Sequence, residues 1–217
     1  MKRKQCWLPA LLVSIACSCA RPEANLDVNL VESSAREHHL QSRLALGVVS
    51  SADPATDKRC SLFNERIDAF ISGLRDSLLA DTAATPRELW VSDTLFRATD
   101  RYISARLTVY TYSGGAHGMT RFHAFNYDTC EQEFIDNARL LDYTRKAEIE
   151  KLLKVRLDNK DGRFTVDPVL TPSTVINFSA GEMIFTYPPY ALGPYSSGAA
   201  EIIVPLEALG KAVKPRL

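Results

Sequence analysis

Apolar residues recur at three- and four-residue spacing between residues 61 and 78, and this period predicts an amphipathic helix. Its stripe consists of Leu62, Phe63, Ile67, Phe70, Ile71, Leu74 and Leu78. Ser61 stands where a capping residue would begin the helix. A second helix is predicted from Thr144 to Asp158. Because the first helix has one stripe to bury, we expect it to lie on a sheet.

A period of two between Arg101 and Ser113 predicts a strand with one face on the core. Strand character resumes from Met119 to Asp128 after a glycine-rich break, which predicts a hairpin. Further strands are predicted at 44–49, 89–98, 174–179, 182–187 and 199–204, before a helical turn that opens at Pro205. Since helices and strands do not alternate regularly, we predict a single α+β domain, with an antiparallel sheet packed by two main helices.

The first residues are typical of a secretory signal, because a basic start precedes a short apolar run. That run is shorter than the ~20 residues of a membrane-spanning helix. Its end, Ser14-Ile15-Ala16-Cys17, resembles the lipobox of bacterial lipoproteins, so residues 1–19 are predicted to be signal peptide and anchor. Cys17 is the expected lipidation site and Cys19 the alternative acceptor; ordinary cleavage near Ala20 would instead give a soluble product.

The prediction is therefore a lipoprotein of the bacterial envelope, held by lipid at the periplasmic face or the cell surface. Residues 20–37 are polar without a sustained period and are predicted to form a flexible tether to a domain at 38–217.

Charge excludes one class of partner. The chain has 26 basic and 26 acidic residues, and removal of Lys2, Arg3 and Lys4 with the signal leaves 23 against 26. Such a balance supplies no basic field for nucleic acid. Two cysteines remain beyond the anchor, Cys60 and Cys130, and they form either a disulfide, as an exported protein permits, or two buried thiols.

The glycine-rich segment from Tyr112 to Gly118 is one candidate site. Gly114, Gly115 and Gly118 allow positive φ and close backbone approach, but their spacing is not that of a phosphate-binding loop. His117 either ties the turn together or acts as a general base oriented by Asp128 or Glu182. A metal site at His117 and His123 lacks a third ligand at recognisable spacing, so neither metal nor cofactor is predicted.

The loop from residue 187 to 198 is the other candidate. It combines three prolines with Tyr187, Tyr190 and Tyr195, a rigid aromatic composition that suits sugar stacking and protein recognition. The alternative is that these rings cover the open end of the core.

Six segments in order carry a family resemblance: Tyr112–Gly118, Phe125–Asp128, Asn177-Phe178, Pro189-Tyr190, Pro194–Gly198 and Glu201–Pro205. Together they resemble the RsiV-like family of exported domains of unknown function, over about residues 40–210. Members are α+β domains found in bacterial lipoproteins, in lysozyme-sensing anti-sigma factors and beside peptidoglycan deacetylase domains. The resemblance implies a non-catalytic envelope domain that recognises a lysozyme-type protein or a cell-wall glycan. The alternatives are an envelope hydrolase that uses His117 and a purely structural lipoprotein.

Lipidation is tested by replacing each acceptor. We expect Cys17→Ser to abolish labelling by a fatty-acid probe and to release the protein from membranes, because the thiol is the acylated group. Cys19→Ser is the matched control and should label as wild type. Labelling lost only in Cys19→Ser would move the anchor to that residue, and labelling of both variants would contradict lipidation at either single cysteine.

Overall fold

A computed structural model describes residues 23–80 and 85–214. The predicted signal peptide and both candidate anchor cysteines lie outside these residues. Within them, no helix is both long and apolar enough to cross a membrane. The helices are α1 Pro54–Ala80, α2 Asn137–Leu140, α3 Lys146–Arg156 and α4 Leu206–Leu209.

A six-stranded sheet forms the larger layer. Its strands, in spatial as well as chain order, are β1 Asp27–Glu37, β2 Leu40–Ser50, β3 Arg87–Ala98, β4 Tyr102–Tyr112, β5 Met119–Asp128 and β6 Glu133–Phe134. Neighbours are antiparallel except β2 and β3, which are parallel because α1 crosses over between them. A smaller antiparallel sheet contains β7 Val175–Phe178, β8 Glu182–Tyr187 and β9 Ala200–Pro205. The α+β prediction is confirmed, and so is the β4–β5 hairpin.

The long helix α1 lies on one face of the large sheet. It buries Phe63, Ile67 and Ile71 of the predicted stripe together with Cys60, whereas Leu62 of that stripe is exposed. Their packing partners on β3 to β5 include the inward row of β4, which is Ile103, Ala105, Leu107 and Val109.

The predicted start of this helix at Ser61 is wrong. α1 begins at Pro54, whose fixed φ suits the first helical position, and Asp53 caps it by accepting a hydrogen bond from the Thr56 N–H at 2.9 Å. Ser61 lies within the helix and donates to the Asp57 carbonyl.

Two other predictions are corrected. Residues 27–37 form strand β1 instead of a tether, because their backbone pairs with β2 along its whole length although their side chains are mostly exposed. No disulfide joins Cys60 to Cys130 among the described residues. Cys60 lies on the buried face of α1, where burial raises the pKa of its thiol, whereas Cys130 is exposed in the turn after β5.

The two sheets are joined by a buried polar network of Ser104, Asn126 and Asn177. Ser104 Oγ donates to Asn126 Oδ1 at 2.7 Å and accepts from the Phe178 N–H at 3.1 Å. Asn177 Nδ2 donates to the Ala105 carbonyl at 2.8 Å, and Asn126 Nδ2 donates to the Ile176 carbonyl at 2.8 Å. Since buried polar groups are costly without partners, this network favours one arrangement of β7 on β4 and β5.

Arg106 adds a second connection between the sheets. Its guanidinium donates to Thr186 Oγ1 at 2.8 Å and pairs with the Glu201 carboxylate, both on the small sheet. The rings of Phe96 and Phe122 each lie 5.2 Å from the guanidinium carbon. These contacts hold β8 and β9 against the face of β4 opposite α1, which we call the outer face of the large sheet.

We expect Asn177→Ala to lower the free energy of unfolding by about 2 kcal/mol, because the buried carbonyl of Ala105 loses its side-chain donor. Urea denaturation measures this change. Asn29→Ala, at an exposed position of β1, is the control and should stay within about 0.5 kcal/mol of wild type. Equal stability of the two variants would show that the network does not stabilise the fold.

Candidate functional site

The β4–β5 turn has the backbone conformation that its glycines predict. Gly114 and Gly115 have φ of +99° and +100°, which side-chain-bearing residues rarely adopt. Tyr112 Oη donates to the Gly115 carbonyl at 3.1 Å and fixes the turn.

Gly118 permits a close approach instead. A Cβ at this position would lie 2.3 Å from a ring carbon of Tyr110, so only a hydrogen atom fits there. The end of the turn is therefore seated directly on the Tyr110 ring.

His117 projects from this turn and joins it to the loop after β8. Its ring stacks on Tyr195 with centroids 4.1 Å apart and planes inclined by 21°. His117 Nδ1 lies 2.8 Å from the Gly118 carbonyl, and since a carbonyl only accepts, Nδ1 must carry the proton. Tyr195 Oη donates to the same carbonyl at 3.3 Å.

Tyr190 completes what we call the tyrosine cluster, composed of His117, Tyr190 and Tyr195. Its hydroxyl lies 3.5 Å from His117 Nε2, and its ring centroid lies 5.4 Å from that of Tyr195. The side chain is 55% exposed, and the backbone φ of +73° is strained for a tyrosine. The cluster therefore presents a large aromatic surface to solvent at a position held by two separate loops.

Tyr187, predicted with the other two tyrosines, does not join them. It is buried in the smaller core, and its hydroxyl donates to the Val169 carbonyl at 3.2 Å. Burial raises the pKa of this phenol well above its usual range. For this ring, the alternative of a core role is correct.

Neither carboxylate considered as an orienting partner lies at His117. Asp128 ends β5, at the opposite end of the strand from the turn, a separation of roughly 30 Å at about 3.4 Å per residue. Its carboxylate accepts hydrogen bonds from the backbone N–H groups of Cys130 and Glu131, and these bonds stabilise the turn after β5. Glu182 begins β8, whereas the loop at residues 188–198, which we call the tyrosine loop, follows the end of that strand.

The two histidines of the hairpin also have different surroundings. His123 lies against Phe70 of α1, with ring centroids 4.7 Å apart. Its pKa is lowered by burial and by the nearby charge of Arg121. Within residues 23–80 and 85–214, no group of three metal-ligating side chains comes together.

Sequence reasoning missed a second aromatic surface beside the cluster. Strand register aligns Ser34, Arg43, Trp90 and Tyr110 across β1 to β4, on the face opposite α1. The Trp90 side chain is 40% exposed. Its ring centroid lies 4.9 Å from the ring centroid of Tyr110 and 5.4 Å from the guanidinium carbon of Arg43. We call this surface the sheet groove; it encloses about 450 Å³, and Glu32, Ser92 and Thr108 also line it. The available signal was a tryptophan on the polar side of the predicted strand 89–98.

Comparison with known proteins finds a family match over part of the chain. Residues 133–207, which contain the small sheet and the tyrosine loop, match a family model described as a protein of unknown function, DUF3298. No curated protein matches the chain.

Two solved structures share the fold across nearly the whole length. A DUF3298 family member from Bacteroides fragilis is 14% identical, with a TM-score of 0.59. A DUF3298 family protein from Pseudomonas aeruginosa is 18% identical, with a TM-score of 0.59. In both cases the alignment covers 88% of this chain and 95% of the other. At these identities the two structures show the fold alone, and that fold is the α+β fold described above.

The role of His117 is tested by its removal. We expect His117→Ala to lower the free energy of unfolding by about 0.5–1.5 kcal/mol, since it loses the bond to Gly118 and the stacking on Tyr195. Thermal denaturation measures the change, and His39→Ala, in the exposed β1–β2 turn, is the control. A screen on glycan, peptide and ester substrates accompanies it. Hydrolysis by wild type that disappears in His117→Ala at unchanged stability would refute the architectural role.

Proposed function

We propose that this chain is a non-catalytic lipoprotein of the bacterial envelope whose folded domain binds a protein or a cell-wall glycan through the tyrosine cluster. Export and a lipid anchor are supported by the basic start, the apolar run and the lipobox-like sequence ending at Cys17. The resemblance to the RsiV-like family supports the same class of function.

One observation carries the binding role: Tyr190 is held outward in a strained backbone conformation, over a histidine stacked on a second tyrosine. Exposed aromatic rings held by a rigid scaffold provide large contact area at small entropic cost, and they are common anchors of binding surfaces. A strained backbone at an exposed residue is typical of functional positions.

The bonds of His117 favour binding over catalysis. A general-base histidine commonly has its far ring nitrogen bound to an orienting carboxylate, which stabilises the charged ring. Here that nitrogen donates to a backbone carbonyl at 2.8 Å within the turn itself. The ring is thereby fixed as a platform for Tyr195 and Tyr190.

The cluster is tested with two probes, hen lysozyme by calorimetry and purified peptidoglycan by co-sedimentation. We expect the full chain to bind at least one of them and Tyr190→Ala to bind at least about tenfold more weakly, as for an exposed aromatic anchor. Val155→Ala on α3, where the side chain is 76% exposed, is the control and should bind as wild type. Failure of wild type to bind either probe, or unchanged binding by Tyr190→Ala, would contradict the proposal.

A further inference from the structure

The outer face of the large sheet is covered over only part of its area. Along β4, alternate side chains point to this face, and Ser104 and Arg106 contact the small sheet. Farther along the same face, Thr108 and Tyr110 line the sheet groove instead. The groove is therefore a defined, uncovered continuation of the surface that joins the sheets.

We infer that the sheet groove is the binding site of an extended, β-linked glycan strand. This inference rests on the proposed function, since it assigns the chemical class of ligand and a second contact surface to the same domain. Its central feature is the exposed ring of Trp90, flanked in register by Arg43 on one side and Tyr110 on the other.

The chemistry of the lining suits a sugar. A pyranose ring has an apolar C–H face, which packs on an aromatic ring, and hydroxyl groups at its rim, which require hydrogen-bonding partners. Here Trp90 supplies the ring, and the side chains of Ser34, Ser92 and Thr108 supply hydroxyls around it. The charged side chains among the described lining residues are one of each sign, Glu32 and Arg43, which fits a neutral ligand.

A polypeptide fits this surface less well. Trp90 pairs with Arg43 on β2 and Tyr110 on β4, so the backbone of β3 is already engaged in ladders on both sides. A peptide therefore cannot add here as a strand, which is the common way of binding to a sheet edge. The lining side chains that rise from this face beside Trp90 are polar apart from Ala45 and Tyr110, so the face has little aliphatic surface for an apolar side chain.

The groove is also continuous with the tyrosine cluster. Tyr110 borders the groove and underlies Gly118, whose carbonyl accepts the hydrogen bonds of His117 and Tyr195. A series of contacts thus links Trp90 to Tyr190, through the Tyr110 ring, the backbone of Gly118 and the ring of His117. The volume of about 450 Å³ is within the range of roughly 300–1,000 Å³ typical of ligand sites.

The test is calorimetric titration of the full chain with chitohexaose, a β-1,4-linked and extended oligosaccharide. We expect Trp90→Ala to weaken binding at least tenfold. Ser92→Arg should do the same by filling the groove without removing any aromatic packing, so a folding defect of Trp90→Ala would not decide the result. Val155→Ala should bind as wild type, and the coiled, α-linked maltohexaose should bind at least tenfold more weakly.

Two results would overturn the glycan site: unchanged chitohexaose affinity in Ser92→Arg, or equal affinity for the two sugars. Wild type that binds neither sugar would also overturn it. In that case, Tyr190-dependent binding of lysozyme or peptidoglycan shows that the proposed function stands without the groove. Loss of that binding as well would refute both.

Discussion

The hydrogen bonds among Ser104, Asn126 and Asn177 are the constraint on which the arrangement of this domain depends. Each sheet has its own apolar core, with α1 on the large sheet and α3 beside the small one. Apolar contact alone tolerates sliding of one layer on another, because it is not directional. The buried amides and hydroxyl require particular partners, so they specify how the sheets are placed.

The proposed binding surface depends on that placement of the two sheets. The small sheet carries the loop with Tyr190 and Tyr195, and the large sheet carries the turn with His117 and the face with Trp90. Neither sheet has the tyrosine cluster by itself, because His117 stacks on Tyr195 across 78 positions of sequence. Strand β4 links the two roles, since one of its faces holds the small sheet through Ser104 and Arg106 and borders the groove through Tyr110.

Local patterns predict much of this fold. The alternation in β4, the glycine-rich turn and the stripe of α1 each depend on neighbours a few residues away, and each is confirmed. β1 escaped prediction because an exposed edge strand needs no apolar alternation, and its partner β2 supplies its hydrogen bonds. The start of α1 was missed because the stripe begins later than the Asp53 and Pro54 signals that cap the helix.

In the candidate site, too, local sequence predicts some features and not others. His117, Tyr190 and Tyr195 were found from composition, yet their contact depends on sheet packing that no local pattern contains. Tyr187 has the same residue type but lies in the core, because β8 ends with that side chain pointing inward. Asn126 and Asn177 belong to the segments that carry the family resemblance, and the structure shows that their role is to join the sheets.

The most direct test of the account uses the fluorescence of Trp90. Trp7 and Trp90 are the two tryptophans of the chain, so Trp7→Phe leaves Trp90 as the single reporter in the full-length protein. If the uncovered face of the large sheet is the binding surface, saturating chitohexaose should shift the emission of Trp90 and protect it from acrylamide quenching. Unchanged emission and quenching at a concentration where calorimetry shows saturation would place the bound sugar elsewhere and contradict the account.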